Sequence, residues 1–116
     1  FRHVNNAIYL TYLEEARDSW LEAMVPEGRS TWDYVLARVA IDFRRELREE
    51  DEHVLASCAL LRLGRSSITT HEEVRTLDGE RSAEAESVMV ARDAETGRSR
   101  PLTQAEIDAF GRVSDS

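Results

Sequence analysis

Lysine is absent from this chain, and all 15 basic residues are arginine. That excludes Schiff-base chemistry and a P-loop lysine. Permanently charged, forked donors suited to phosphate remain. Cysteine is nearly absent as well. Cys58 stands alone, so an internal disulfide and a cysteine-built zinc site are both excluded. No apolar run approaches the ~20 residues of a membrane-spanning helix, and no stretch has the layout of a signal peptide. The expected compartment is therefore the cytoplasm. Proline occurs only at Pro26 and Pro101, where it reads as punctuation.

What is present is acid. The chain has 116 residues, with 23 acidic residues giving a net charge of −8. The mean field repels phosphate, so nucleic acid and anionic membrane are not expected partners. An anionic ligand would need a local cluster of arginines. The length suits one domain, 1–116, and the 41% hydrophobic content suits a folded core.

The periodicity predicts one long helix over Asn6–Met24. Tyr9, Leu13, Ala16, Trp20 and Met24 recur at three- and four-residue steps. Asn5 or Asn6 suits the N-cap, and Val25-Pro26-Glu27-Gly28 ends the helix. The pattern then changes to period two, with Val35, Ala37, Val39, Ile41 and Phe43 expected on one strand face. Further strands are expected over 53–63, 67–77 and 82–92, the last two joined by the hairpin signal Asp78-Gly79. Thr103-Gln104-Ala105-Glu106 is a capping box opening a short helix that Gly111 closes. This is an α+β architecture. Four strands are few to cover so long a helix, and they leave open edges that an upstream strand and a partner subunit would close.

The segment Phe1-Arg2-His3-Val4-Asn5-Asn6 places polar residues before that helix. Unpaired backbone N–H groups and the helix dipole meet there, an arrangement that can polarise a carbonyl or simply be capped by asparagine. His3, Val4, Asn5, Asn6 and Tyr9, followed by Glu14, Ala16 and Arg17, resemble the signature of hot-dog thioesterases of the 4-hydroxybenzoyl-CoA thioesterase and YbgC-like type. The turn Leu63-Gly64-Arg65-Ser66-Ser67 and the tail from Asp93 to Leu102 are also similar to that family.

The resemblance implies a hot-dog fold, an antiparallel sheet wrapped around one long helix, with the first strand missing here. It implies hydrolysis of an acyl-CoA or acyl-carrier-protein thioester. In the family an Asp four residues before the motif His serves as nucleophile or general base. It would fall two residues before Phe1, and Arg2 stands where the family usually has Gly. The resemblance further implies carbonyl polarisation by the Asn6 N–H, with His3 and Asn5 beside it. Tyr9 and Glu14 would line the acyl site, and Arg65, Ser66 and Ser67 would meet CoA. Arg62, Arg98 and Arg100 could meet the nucleotide phosphates or equally be solvated charges. No metal or redox cofactor is implied, and a homodimer or homotetramer is expected. Two other readings stay open: a non-catalytic acyl-CoA-binding hot dog, and a hot-dog dehydratase or hydratase. Glu14 and Arg17 could equally pair with each other along the helix.

Overall fold

The computed structural model describes residues 6–44 and 53–112. Helix α1 spans Asn6–Met24, as the periodicity predicts. Pro26 ends it, because a proline disfavours helical geometry at the residue before it. The chain then reverses through Gly28, whose φ of 86° is natural only for glycine. After a short 3₁₀ turn over Thr31–Asp33 come four strands: β1 (Tyr34–Phe43), β2 (Val54–Leu63), β3 (Ser67–Thr76) and β4 (Arg81–Ala91). Helix α2 (Gln104–Phe110) follows. The sheet is antiparallel throughout, in the order β1-β4-β3-β2, so both β1 and β2 are edges.

One face of the sheet receives α1. In β3 the residues facing the helix are Ile68, Thr70, Glu72 and Val74, all fully buried. Their partners on β4 are Met89, Ser87, Ala85 and Ala83. Small residues on β4 leave room for Tyr9, Leu13, Trp20, Leu21 and Met24 of α1. The apolar contacts gather in two clusters. One centres on Trp20, Met24, Ile68, Met89 and Phe110; the other on Tyr9, Leu13, Val74, Ala83 and Ala85. The register places Thr70, Glu72 and Ser87 between them.

The expected face of β1 is corrected by a bulge. Leu36 pairs with Met89 and Arg38 with Val88, leaving Ala37 as an extra residue. The inner face is therefore Tyr34 and Leu36 before the bulge, then Val39, Ile41 and Phe43 after it. Val35 faces outward. A single extra residue inverts the alternation, which unbroken period-two reading cannot foresee.

Helix α2 is capped as its sequence predicts. The Thr103 hydroxyl accepts from the Glu106 N–H, and the Glu106 carboxylate accepts from the Thr103 N–H. Phe110 is fully buried, stacked on Trp20 at 5.8 Å and edge-on to Tyr34 at 5.4 Å. Glu106 is also fully buried. Its carboxylate accepts a forked pair from Arg100, at 2.7 and 3.0 Å, and a further hydrogen bond from the Tyr34 hydroxyl. Burial alone would raise its pKa. The hydrogen bonds from Arg100, Thr103 and Tyr34 outweigh that and hold it down at about 2.

Because the folded pKa lies below an unfolded value of about 4.3, this stabilisation is fully present above that pH and fades as the pH falls towards 2. Glu106→Gln is expected to cost about 2 kcal/mol at neutral pH and to flatten the acid limb of the stability profile. Urea unfolding at several pH values between neutrality and acid reads both effects.

Candidate functional site

Helix α1 begins at Asn6, and its first turn contains no acidic residue. No carboxylate of that turn therefore offsets the positive end of the helix dipole. Such a terminus can stabilise a developing oxyanion. Of the residues expected around it, His3 and Asn5 lie outside the described residues. Tyr9 is 1% exposed and meets Phe43 edge-on at 5.4 Å. It sits in the core beneath the start of the helix.

Further along α1, a cavity of about 400 Å³ opens between the helix, the 3₁₀ turn and the β1 side of the sheet. Glu14 and Arg17 both line it. They do not pair with each other. Arg17 is 92% buried and turns onto the sheet, where its Nη1 lies 3.5 Å from Ser87 Oγ and 3.7 Å from Glu72 Oε1. Thr70 Oγ1 donates to the same Glu72 oxygen at 3.4 Å. The other oxygen, Glu72 Oε2, is buried with no hydrogen-bond partner. Burial raises the Glu72 pKa, opposed by Ser87, Arg17 and Thr70.

Cys58 faces Glu72 across the β2–β3 ladder. Burial, reinforced by the Glu72 charge, pushes its thiol up to about 12. The thiolate is suppressed there, which argues against a cysteine nucleophile; Cys58 is partly buried and packs against the Trp20 cluster.

The turn between β2 and β3 carries Arg65, Ser66 and Ser67. Gly64 N–H donates to Ser67 O, Ala91 N–H to Ser66 O, and Leu102 N–H to Arg65 O. Backbone bonds therefore fix the loop and leave its side chains uncommitted. The Arg65 side chain is exposed. Arg62 and Arg100, considered as phosphate ligands, are engaged instead with Glu86 and Glu106. His71 lies on the outer face between Glu73 and Glu84, within a network that also includes Arg44, Arg75 and Arg81. Among the described residues, no three His, Cys, Asp or Glu side chains are placed to hold a metal ion. None of the described helices is long and apolar enough to cross a membrane.

Sequence reasoning missed Glu72 and its polar neighbours. The signal was available in the alternation Ile68, Thr70, Glu72, Val74, which puts an acid on the strand's apolar face.

The family model described as the thioesterase-like superfamily matches residues 1–111. A thioesterase from Thermus thermophilus, solved in complex with coenzyme A and zinc, is 30% identical. That match covers 96% of this chain and 86% of the other, with a TM-score of 0.82. The YbaW protein of Escherichia coli matches at 24% identity and a TM-score of 0.74, over 96% of this chain and 88% of its own. A thioesterase-superfamily structure from Jannaschia sp. has the same identity and TM-score, covering 94% and 70%. No curated protein matches the chain.

Proposed function

Since the chain belongs to the thioesterase-like superfamily and has its hot-dog fold, we propose that it hydrolyses an acyl-CoA thioester to the free acid and CoA. The observation that carries this reading is the start of α1, whose first turn contains no acidic residue to offset the positive end of the helix dipole. The 30% identical relative holding coenzyme A supports CoA as the thiol carrier.

In this mechanism the thioester carbonyl lies against the Asn6 N–H. A water molecule, deprotonated by an aspartate two residues upstream of Phe1, attacks the carbonyl carbon. The new C–O bond forms as the carbonyl electrons move onto oxygen, where the N–H and the helix dipole stabilise them. Collapse of the tetrahedral intermediate breaks the C–S bond and expels CoA as thiolate. A thiol of pKa about 8.5 leaves with little acid assistance. His3 and Asn5 orient the thioester, and Tyr9 and Glu14 bound the acyl site. Arg65, with Ser66 and Ser67, meets the phosphates and pantetheine of CoA.

The enzyme works as a homodimer. Support comes from β1, an edge strand with Val35, Leu36, Val39 and Phe43 between 37% and 46% exposed. An apolar unpaired edge of this kind is closed by a second copy.

The reading is tested by comparing an acyl-CoA with the corresponding acyl-pantetheine in the native-length protein. Arg65→Ala is expected to raise KM for the CoA thioester several-fold, with little change for the pantetheine thioester, because only the former carries nucleotide phosphates. Equal effects on both would remove Arg65 from the CoA site.

A further inference from the structure

We infer that two copies of the chain pair along β1 about a two-fold axis at Ala40, and that Leu36 of the partner subunit forms a wall of the acyl site at the start of α1. This rests on the hydrolase and homodimer readings above and names the residue that each copy lends the other.

The register follows from the strand itself. Arg44 N–H donates to Ser82 O on β4. Backbone N–H groups alternate in direction along a strand, so those of Val39, Ile41 and Phe43 point to the open edge. An antiparallel copy can therefore exchange hydrogen bonds with Val39 and Ile41. With the axis at Ala40, Val39 of one copy lies opposite Ile41 of the other, and Arg38 opposite Asp42. Each pairing is made twice. Arg38 and Asp42 are exposed on the outer face, and neither side chain makes an ion pair or hydrogen bond within the described residues. Inside the chain Asp42 stands opposite Glu84, which Arg44 and Arg81 already hold, and Arg38 stands opposite Val88. Both charges thus lack a counter-charge that only the second copy supplies. Other registers are worse. An axis at Arg38 or Asp42 sets like charges directly opposite, one at Ile41 sets Arg38 against Arg44, and one at Val39 leaves both charges unpaired.

The same register carries the partner to the site. Helix α1 runs antiparallel to β1. Tyr9 meets Phe43 at the end of the strand, and Trp20 and Met24 gather with Tyr34 at its start. A two-fold axis normal to the sheet keeps both helices on one face and brings the start of the partner's β1 beside the end of this one. The bulge at Ala37 shortens the strand by one position, so Leu36 of the partner subunit comes opposite Phe43, both on the inner face. Paired strands lie about 4.8 Å apart, so the partner's Leu36 borders the Phe43 ring. That ring touches Tyr9, which shares the first turn of α1 with Asn6. Leu36, Val39 and Phe43 are 42%, 37% and 46% exposed in one copy, and the pairing covers all three. An acyl group extending from the Asn6 N–H runs over Phe43 onto the partner's Leu36, and a lone subunit has no wall there.

Two measurements on the native-length protein test this. The first is sedimentation on dilution. Arg38→Asp should weaken the dimer about tenfold or more, and Arg38→Asp with Asp42→Arg should restore it. A single variant as tight as wild type, or a double variant no tighter than the single, overturns the register. The second is thiol release. Leu36→Trp should lower the kcat/KM ratio of the longest to the shortest acyl-CoA cleaved by about tenfold. Mixed dimers of Leu36→Trp with Asn6→Pro, isolated through two different affinity tags, should recover about half of wild-type turnover of the long thioester, because one of the two symmetric sites regains both intact residues. Mixed dimers no faster than the Leu36→Trp parent, or an unchanged length preference, overturn the partner's role and leave the hydrolase reading standing. An active Asn6→Pro parent, or no thiol release from any wild-type reaction, overturns the reading beneath it, while the sedimentation result still decides the interface.

Discussion

Replacing Asn6 by proline is expected to lower kcat on an acyl-CoA by about 10²–10³, with a much smaller change in KM. The substitution removes one backbone N–H and little else. Asn6 is the first residue of α1. At that position proline is well tolerated, because its fixed φ suits a helix start and the N–H has no partner within the helix. The residue before it would be held extended, as an N-cap requires. If the Asn6 N–H meets the oxyanion, its loss removes an interaction made mainly in the transition state, so kcat falls rather than binding. Asn6→Ala keeps the N–H and serves as the control. It should retain most of the rate if the side chain takes no part in the reaction. Steady-state kinetics on the two variants, with circular dichroism to verify the helix, decide the matter. Equal rates for proline and alanine would dismiss the Asn6 N–H as the oxyanion donor.

The second large effect concerns stability. Arg17→Ala should destabilise the fold by about 3–5 kcal/mol, because it leaves the fully buried Glu72 without its counter-charge. Replacing both partners has a different outcome. Arg17→Met with Glu72→Leu substitutes apolar side chains of similar reach between the two existing hydrophobic clusters, and stability should return to wild type or exceed it. Chemical denaturation of the single and double variants measures the coupling. A mild Arg17→Ala, below about 1 kcal/mol, would show that Glu72 is protonated and needs no partner.

Much of this architecture was legible beforehand. The three- and four-residue steps from Tyr9 to Met24 specify α1, and Pro26 stops it where proline must. Thr103 and Glu106 announce a capping box that forms as written. Asp78-Gly79 marks a real turn, with Gly79 at a φ of 93°. Local signals of this kind survive because their chemistry is satisfied within a few residues. The bulge at Ala37 was not legible, since it depends on how β1 meets β4. Nor was the partner of Arg17. Glu14 is near in sequence, yet burial favours Glu72, 55 positions away, where the guanidinium also reaches Ser87. The same holds for Arg100, which reads as a solvated tail charge or a phosphate ligand and is instead the clamp on Glu106. The proposed site rests mainly on the opening motif, of which His3 and Asn5 lie outside the described residues. The cavity was not legible, because its walls come from α1, the 3₁₀ turn, β1 and β4 together.

The most direct measurement of the central claim is free-thiol release by the native-length protein across a panel of acyl-CoA thioesters, paired with binding of the same thioesters. The account predicts turnover of at least one member and, where an aspartate stands two residues before Phe1, loss of that turnover on its replacement by asparagine while binding persists. Tight binding of acyl-CoA with no thiol released from any member would contradict it and identify the protein as one that holds its ligand without cleaving it.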